Sequence, residues 1–542
     1  MRRLIGITVG LVTLAGCEGI VTEAPVGRPG TSRGPVTCEE VQATPQAIAR
    51  LTRVEYDYAI EDLVGDTTRP ASRFAADDVT TGFEVGGAVS PLLAEQYLDA
   101  ATGIAERATA DLPALCDASL VGEDCARHLI EEKGRLAYRR TLSADEVDAL
   151  LALYRRGVTL EDHRTGVQLV LEALLTSPSF LYHVEVTSPD AAGELVALND
   201  FELASRLSFF LWRSIPDDAL LDAAAAGELS DVANVEEQAR RMMDDPRALR
   251  GIHDFYRQWL DLDRLDLAER DAALYPEFSR ELADDMRASL VMYVDEVMQN
   301  GGTLQALLRG EHAYVNERLA PLFGLEGITG MELRRVEVDG TRRSGILTHP
   351  ALMTLYGKSN QSDPIHRGIF VRTRLLCQQL PPPPGDVEIV PPDLEPGLTT
   401  RERFDQHRDD PTCARCHQLI DPIGYGFEHY DALGRYRETE EGSPIDATGE
   451  LILAGDATGP FDGAVELGAQ LAGSDTVREC VARQFFRFAA GRIETDQDSC
   501  SLEALNQRFA DSGYDLRELM VAVTTTDAFI HRRLPTDGAV SP

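Results

Sequence analysis

The sequence predicts an all-α fold, several packed helical domains with one small β-hairpin near the C-terminus. Three observations predict it. Apolar residues recur at intervals of three and four through most of the 542 residues, capping residues and prolines punctuate these stretches, and β-prone pieces joined by Asp/Gly turns gather only after Arg437. The composition is globular, 43% hydrophobic and 26% charged. A net charge of −38 sets the chain against nucleic acid, whose phosphates need clustered Lys and Arg.

Residues 1–17 read as a secretory signal: Met1-Arg2-Arg3 is basic, Leu4 to Leu14 is apolar, and Leu14-Ala15-Gly16-Cys17 ends the run with small residues. This pattern resembles a bacterial lipoprotein signal, which implies lipidation of Cys17. Glu18 in the next position resembles the context that sorts such proteins to the outer membrane. The expected location is therefore the cell envelope, on the periplasmic side of the outer membrane, with the membrane as a partner through the lipid. An ordinary cleaved signal peptide is the alternative, and both deliver the chain to an oxidising space. Residues 18–44, rich in Pro, Gly, Thr and Ser, read as a flexible tether.

Residues 45–115 form the first helical domain, with an amphipathic helix over Leu51 to Leu63 and another opening at Pro91. In 116–190 a helical hairpin covers Cys125 to Tyr138 and Ser143 to Tyr154, where Ser143-Ala-Asp-Glu146 matches a capping box, and Arg164 to Leu175 follows. In the central bundle, 191–335, Asn199 or Asp200 caps a helix whose buried stripe is Leu203, Leu207, Phe210 and Leu211. Pro216-Asp217-Asp218 stops it and starts the next. Val235 to Met243, Leu249 to Leu260 and Glu277 to Met298 complete the bundle. The closing region, 441–542, holds a hairpin around Pro444 to Gly463 and helices over Ala464 to Leu471, Thr476 to Ala490, Leu502 to Phe509 and Leu516 to Thr524. Asp446 and Asp456 there suit turns better than calcium, because their spacing is no EF-hand loop.

Residues 336–440 carry the chemistry. Cys413-Ala-Arg-Cys416-His417 places two thiols two residues apart with a histidine directly after them. Thiols so spaced can add across the vinyl groups of a haem and leave the histidine to ligate the iron, so one covalent haem c is the expected cofactor and this segment is cytochrome c-like. A zinc half-site or a disulfide is the plainer alternative, but zinc needs a second ligand pair at similar spacing. For the second axial position His349, Met353, His366 and His429 are candidates, as is no protein ligand. A protein ligand would make an electron carrier, an open position a catalyst. Arg367 and Arg435 are candidate partners of haem propionates, and Glu428 and His366 candidate acid–base groups. Against these roles, Glu428 and Asp431 can simply pair with nearby arginines to hold the loop. Asp421-Pro422 sets a turn, Gly424 and Gly426 permit close approach to a flat group, and Tyr425 and Phe427 can lie against it.

Nine cysteines fit the same compartment. Removing Cys17, Cys413 and Cys416 leaves six for disulfides. Local pairing joins Cys116 to Cys125 and Cys480 to Cys500, and elimination leaves Cys38 with Cys377, although six cysteines allow fifteen pairings.

The chain resembles a bacterial family of exported proteins assembled from domains of unknown function numbered 1587, 1595, 1592, 1588 and 1585, often described as cytochrome-like. Leu51-Thr-Arg-Val-Glu-Tyr carries the first, Ala137-Tyr-Arg-Arg-Thr-Leu-Ser the second, and Ala204 to Trp212 with Pro216-Asp-Asp the third. Arg343-Ser-Gly-Ile-Leu, Pro364-Ile-His-Arg-Gly368 and Cys413 to Arg437 carry the fourth, and Cys480 to Arg492 the fifth. The resemblance implies one haem-type motif in a helical protein and is silent on activity. Two functions are expected: electron transfer or peroxidase-like redox chemistry with a redox partner protein, or a non-enzymatic envelope scaffold, binding a polymer or partner, in which the motif is structural. No nucleophile triad, phosphate-binding loop or zinc protease motif appears in the sequence.

Overall fold

The computed structural model describes residues 22–23, 38, 41–44, 49–116, 119–185, 195–380, 394–405 and 411–533. Cys17 lies outside this set. Within the set the chain forms 22 α-helices and six two-stranded sheets, so the fold is all-α with small hairpins. No described helix is long and apolar enough to cross a membrane.

Local chemistry sets many helix starts. Thr52 caps Arg53–Val64, Ser143 caps Ala144–Leu160 and Asn199 caps Asp200–Leu211, each completed by a glutamate at the third helical position that bonds back to the cap. Asp217 then caps Asp218–Ala225, as Pro216-Asp217-Asp218 predicts. The long central helix runs Arg280–Gln299 with Ser279 as its cap, starting three residues later than expected from its apolar period.

The helices bury three cores. One gathers Tyr56, Phe74, Tyr97 and Phe180 from the N-terminal helices, and a second packs the hairpin Glu123–Tyr138 and Ala144–Leu160 against His163–Leu175. The third is continuous from Leu198 to Ile530 and includes Trp212, Trp259, Phe427 and Phe485. The bundle, the motif-bearing segment and the closing helices thus share one apolar interior. The strand His531–Arg533 returns to pair with Leu195–Ala197 and fastens the C-terminal end to the head of the bundle.

The hairpin near the C-terminus is present, Thr448–Leu451 with Gly459–Asp462. Five other described sheets were not expected from the sequence: Asp78–Thr80 with Phe83–Val85, His312–Val315 with Arg334–Glu337, Thr439–Glu440 with Ser443–Pro444, the terminal pair above, and Thr22–Glu23 with Gln378–Gln379, which puts a strand in the segment expected to be a flexible tether. Strands of two to four residues are too short to show an alternating pattern. Asp456 serves a helix start. Its carboxylate accepts from Ser474 Oγ, the amides of Asp475 and Thr476, and Thr476 Oγ1, so it holds the head of the helix Asp475–Ala490 and sits well below the usual carboxylate range.

Three disulfides form. Cys116–Cys125 is as expected, but the other two pairings are corrected to Cys38–Cys500 and Cys377–Cys480. Cys480 lies ten residues inside the helix that ends at Ala490, while Cys500 opens the helix Ser499–Asp511. Ten residues of helix rise about 15 Å, and a disulfide needs Cα atoms within about 7 Å. Cys480 instead faces Cys377, and the bridge fixes the residues following the π-helical turn Val371–Leu375 to the closing helices.

Candidate functional site

Cys413-Ala-Arg-Cys416-His417 lies in the first half of the helix Pro411–Tyr425. The Cys413 side chain is outside the described residues. Cys416 is a free, half-buried thiol. One turn after the histidine stands Asp421, whose side chain is fully buried, with its two oxygens 3.0 and 3.2 Å from His417 Nδ1. A carboxylate bonded to Nδ1 places the ring proton there and the lone pair on Nε2. The arrangement suits an iron-ligating histidine. Asp421 and Pro422 lie inside the helix Pro411–Tyr425, which corrects the turn expected there. The histidine–aspartate spacing of four on a helix was the signal that could have found the pair.

The motif helix lies backbone to backbone on the helix Pro364–Phe370. A Cβ on Gly424 would stand 1.8 Å from the Pro364 carbonyl oxygen, and one on Gly368 would stand 2.3 Å from that of Ile420. A Cβ on Gly426 would meet the Phe461 ring at 2.5 Å. These glycines serve close protein packing, which corrects the expectation that Gly424 and Gly426 make room for a flat group. Tyr425 and Phe427 point inward too: the Tyr425 hydroxyl donates to Asp405, and Phe427 belongs to the large core. What the motif helix turns toward the core is thus filled by protein.

Arg367 is fully buried and uses all five of its N–H groups on main-chain carbonyls, those of Tyr356, Phe427, Tyr430, Met353 and Asp431, at 2.9 to 3.3 Å. It cannot also hold a propionate; it staples the loop after the motif helix to the turn at 353–356. Burial lowers its pKa. Arg435 pairs with Asp431 at 2.8 Å and Glu277 at 2.7 Å, and at 38% side-chain exposure it retains access to solvent. Glu428 is buried, accepting from Ser362 Oγ at 2.7 Å and Arg437 Nη2 at 3.1 Å. Burial raises its pKa although Arg437 and Arg367 pull it down. For Glu428 and Asp431 the pairing role is the one the geometry shows. Arg437, which the sequence reading passed over, is the residue that joins Glu428 to Glu440.

The candidate second ligands are placed differently. His349 caps the helix Pro350–Leu355: Nδ1 accepts from the Ala351 amide and Nε2 bonds Ser289 Oγ, both at 3.1 Å. Both ring nitrogens are taken, and burial, with Arg343 nearby, drives its pKa down to about 3. Met353 is packed in the large core, its Cβ against Gly434. His429 donates from Nδ1 to the Arg437 carbonyl and stacks on Tyr436. His366 is the accessible one, its ring 42% exposed and Nδ1 2.7 Å from Asp363, which also pairs with Lys358. Burial pushes the Asp363 carboxyl up, but His366 and Lys358 outweigh it and bring it down to about 2.

Five family models match the chain in order. Each is described as a protein of unknown function: DUF1587 over residues 49–110, DUF1595 over 125–185, DUF1592 over 198–325, DUF1588 over 343–440 and DUF1585 over 459–529. The chain belongs to the family built from these five domains. The families are grouped as cytochrome-c-like, and the motif helix with Asp421, Glu428 and Arg437 falls in DUF1588. No curated protein and no solved structure matches the chain.

Proposed function

We propose that this DUF1588 segment is a haem c attachment site and that the protein serves redox chemistry in the cell envelope, held there by a lipid on Cys17. One observation carries the reading. In a chain that pairs six of its nine cysteines, Cys416 stays a free thiol beside a histidine whose Nδ1 is fixed by a buried carboxylate. Cys413 and Cys416 would hold the group through thioethers and His417 through Nε2, and a bound haem would supply one-electron chemistry at iron. Asp421 keeps the Nδ1 proton in place, orients the ring and raises its basicity. His349 is bonded at both ring nitrogens and Met353 lies inside the core, which leaves His366 and His429, each engaged through Nδ1, as the described candidates for a second ligand. Electron transfer and peroxidase-like chemistry are both open on this geometry. His366, exposed and paired to Asp363, is better placed than buried Glu428 to exchange protons with solvent.

The test is the absorption spectrum of protein made in a host that attaches haem c, recorded oxidised, reduced, and reduced under carbon monoxide. The expected result is a Soret band that survives denaturation and disappears in Cys413→Ser and Cys416→Ser. A band that shifts with carbon monoxide would mark a catalyst with an open iron, and a band left unmoved an electron carrier. No covalent band at all would overturn the haem reading and leave the envelope scaffold.

A further inference from the structure

The three disulfides differ in what surrounds their sulphurs. Cys377 and Cys480 are both buried in the protein interior. Cys38 is exposed, and the Glu503 carboxylate lies 3.6 Å from its sulphur, where a negative charge opposes formation of a thiolate. The third bridge lies at a helix N-terminus, whose first turn also carries Asp124 and Glu123, the latter paired with Arg155 at 2.8 Å. Cys125 is the third residue of the 16-residue helix Glu123–Tyr138, so its sulphur sits at the positive end of that helix, whose first turn has no side-chain cap. His163 Nε2 lies 3.7 Å from the same sulphur. The other ring nitrogen is 2.8 Å from the Tyr154 hydroxyl; donation from that hydroxyl to Nδ1 leaves the ring proton on Nε2, facing the sulphur. Cys116, its partner, is half-buried where Cys125 is 2% exposed. The bridge spans only 9 residues, against 103 and 462 for the others, so closing it restricts the unfolded chain least.

We infer that Cys116–Cys125 is a thiol–disulfide exchange site, with a dithiol as its reaction partner. One thiolate of the dithiol attacks Cys116 Sγ, forming a mixed disulfide as the Cys116–Cys125 bond breaks. The electron pair leaves on Cys125 Sγ, where the helix N-terminus and the His163 N–H stabilise the thiolate. The second thiol of the reagent then displaces Cys116. The dithiol ends oxidised and the protein holds two thiols, a transfer of two electrons and two protons. His163 is a positioning residue that improves the leaving group, and Tyr154 sets its tautomer. The inference does not depend on haem.

The experiment uses the full chain with limiting dithiothreitol, timed quenching with N-ethylmaleimide, full reduction, a second alkylating label and peptide mass spectrometry of all six cysteines. Cys116 and Cys125 are expected to open about tenfold faster than either other pair, following the better leaving group and access. His163→Gln should slow that opening several-fold while the Cys38–Cys500 rate stays unchanged, and Tyr154→Phe should give a smaller slowing. Cys377–Cys480 reports global unfolding, since a variant that has lost its fold exposes that pair faster. If all three bridges open together in the parent protein, or if folded His163→Gln opens Cys116–Cys125 at the parent rate, the inference is overturned.

Discussion

Two buried arginines show two ways of keeping a guanidinium inside protein. Arg213 lies where the N-terminal helices meet the bundle, ion-paired with Glu55 at 3.0 Å and Asp254 at 2.8 Å, with its Cζ 4.9 Å from the Phe488 ring centroid. Arg367, beside the motif helix, has no carboxylate in contact and five carbonyls instead. The electrostatic results are opposite. Burial alone would lower both, but Glu55 and Asp254 raise Arg213 above the usual arginine range while Arg367 stays below it. Arg213 is a charge among charges, so its removal leaves Glu55 with His183 alone and Asp254 with Arg257 alone. Arg367 is a cross-link among dipoles, so its removal strands acceptors but no charge.

The largest expected effect follows from that difference. Arg213→Met should destabilise the fold by about 3–5 kcal/mol in urea unfolding, the loss typical of breaking a buried ion pair. It should also change the acid limb. Burial pushes the Glu55 carboxyl up, but Arg213 and His183 prevail and hold it at about 2. Its folded pKa lies below its unfolded one, so it contributes stability above pH 4.5 that is lost as pH falls toward 2. In Arg213→Met that contribution shrinks and acid unfolding begins at higher pH. An unchanged acid midpoint would show that His183 alone maintains the pair.

Arg367→Met should lose about 2–4 kcal/mol, the penalty of leaving buried carbonyls unpaired, with a pH dependence changed only through Glu428, whose carboxyl Arg367 pulls down. Arg367→Lys should recover only part of it, because three rotatable donors cannot reproduce a planar set of five. Equal effects of the two substitutions would indicate that charge, not geometry, matters at this position. Gly424→Ala should lose about 1–3 kcal/mol by forcing the motif helix off Pro364–Phe370, readable as a lower thermal midpoint. The smallest effect is expected for Glu428→Gln, within about 1 kcal/mol at neutral pH, because the gain from removing a buried carboxylate offsets the weaker bond to Arg437. The Glu428 pKa is raised on folding, so its contribution is fully present at low pH and is lost as pH rises above the ordinary glutamate range. Glu428→Gln should flatten that slope, checked by unfolding free energies at pH 4 and pH 7.

The elements legible in the sequence are those set by near neighbours. The box at Ser143 and Glu146, the caps at Asn199 and Asp217 and the helix Leu516–Thr524 each follow from residues within a turn or two. The motif helix was equally local, and so was the missed pair of His417 and Asp421. What the sequence could not disclose depends on distant partners. Nothing near Arg367 announces five carbonyls, and nothing near Gly424 announces the Pro364 oxygen. The register of Cys480 against Cys377 rather than Cys500 is decided by how helices stack over 103 residues. The same holds for His349, which looked like a ligand because histidine near such a motif suggests one. Its cap on Pro350–Leu355 is local, a bond from the Ala351 amide two residues on, but its bond to Ser289 comes from a helix 60 residues earlier in the chain.

The Cys38–Cys500 bridge has a mechanical consequence. Cys38 stands just after the segment that would lead to an anchor, and its sulphur is joined to the helix that follows Asp498. Tension applied from the N-terminal side meets first the short pairing of Thr22–Glu23 with Gln378–Gln379 and then, at the Cys38 bridge, the helix Ser499–Asp511, across a sequence separation of 462. The protein would be hauled by its closing helices, whose last strand is tied to the head of the central bundle, and could not be unzipped from its N-terminal end while that bridge held.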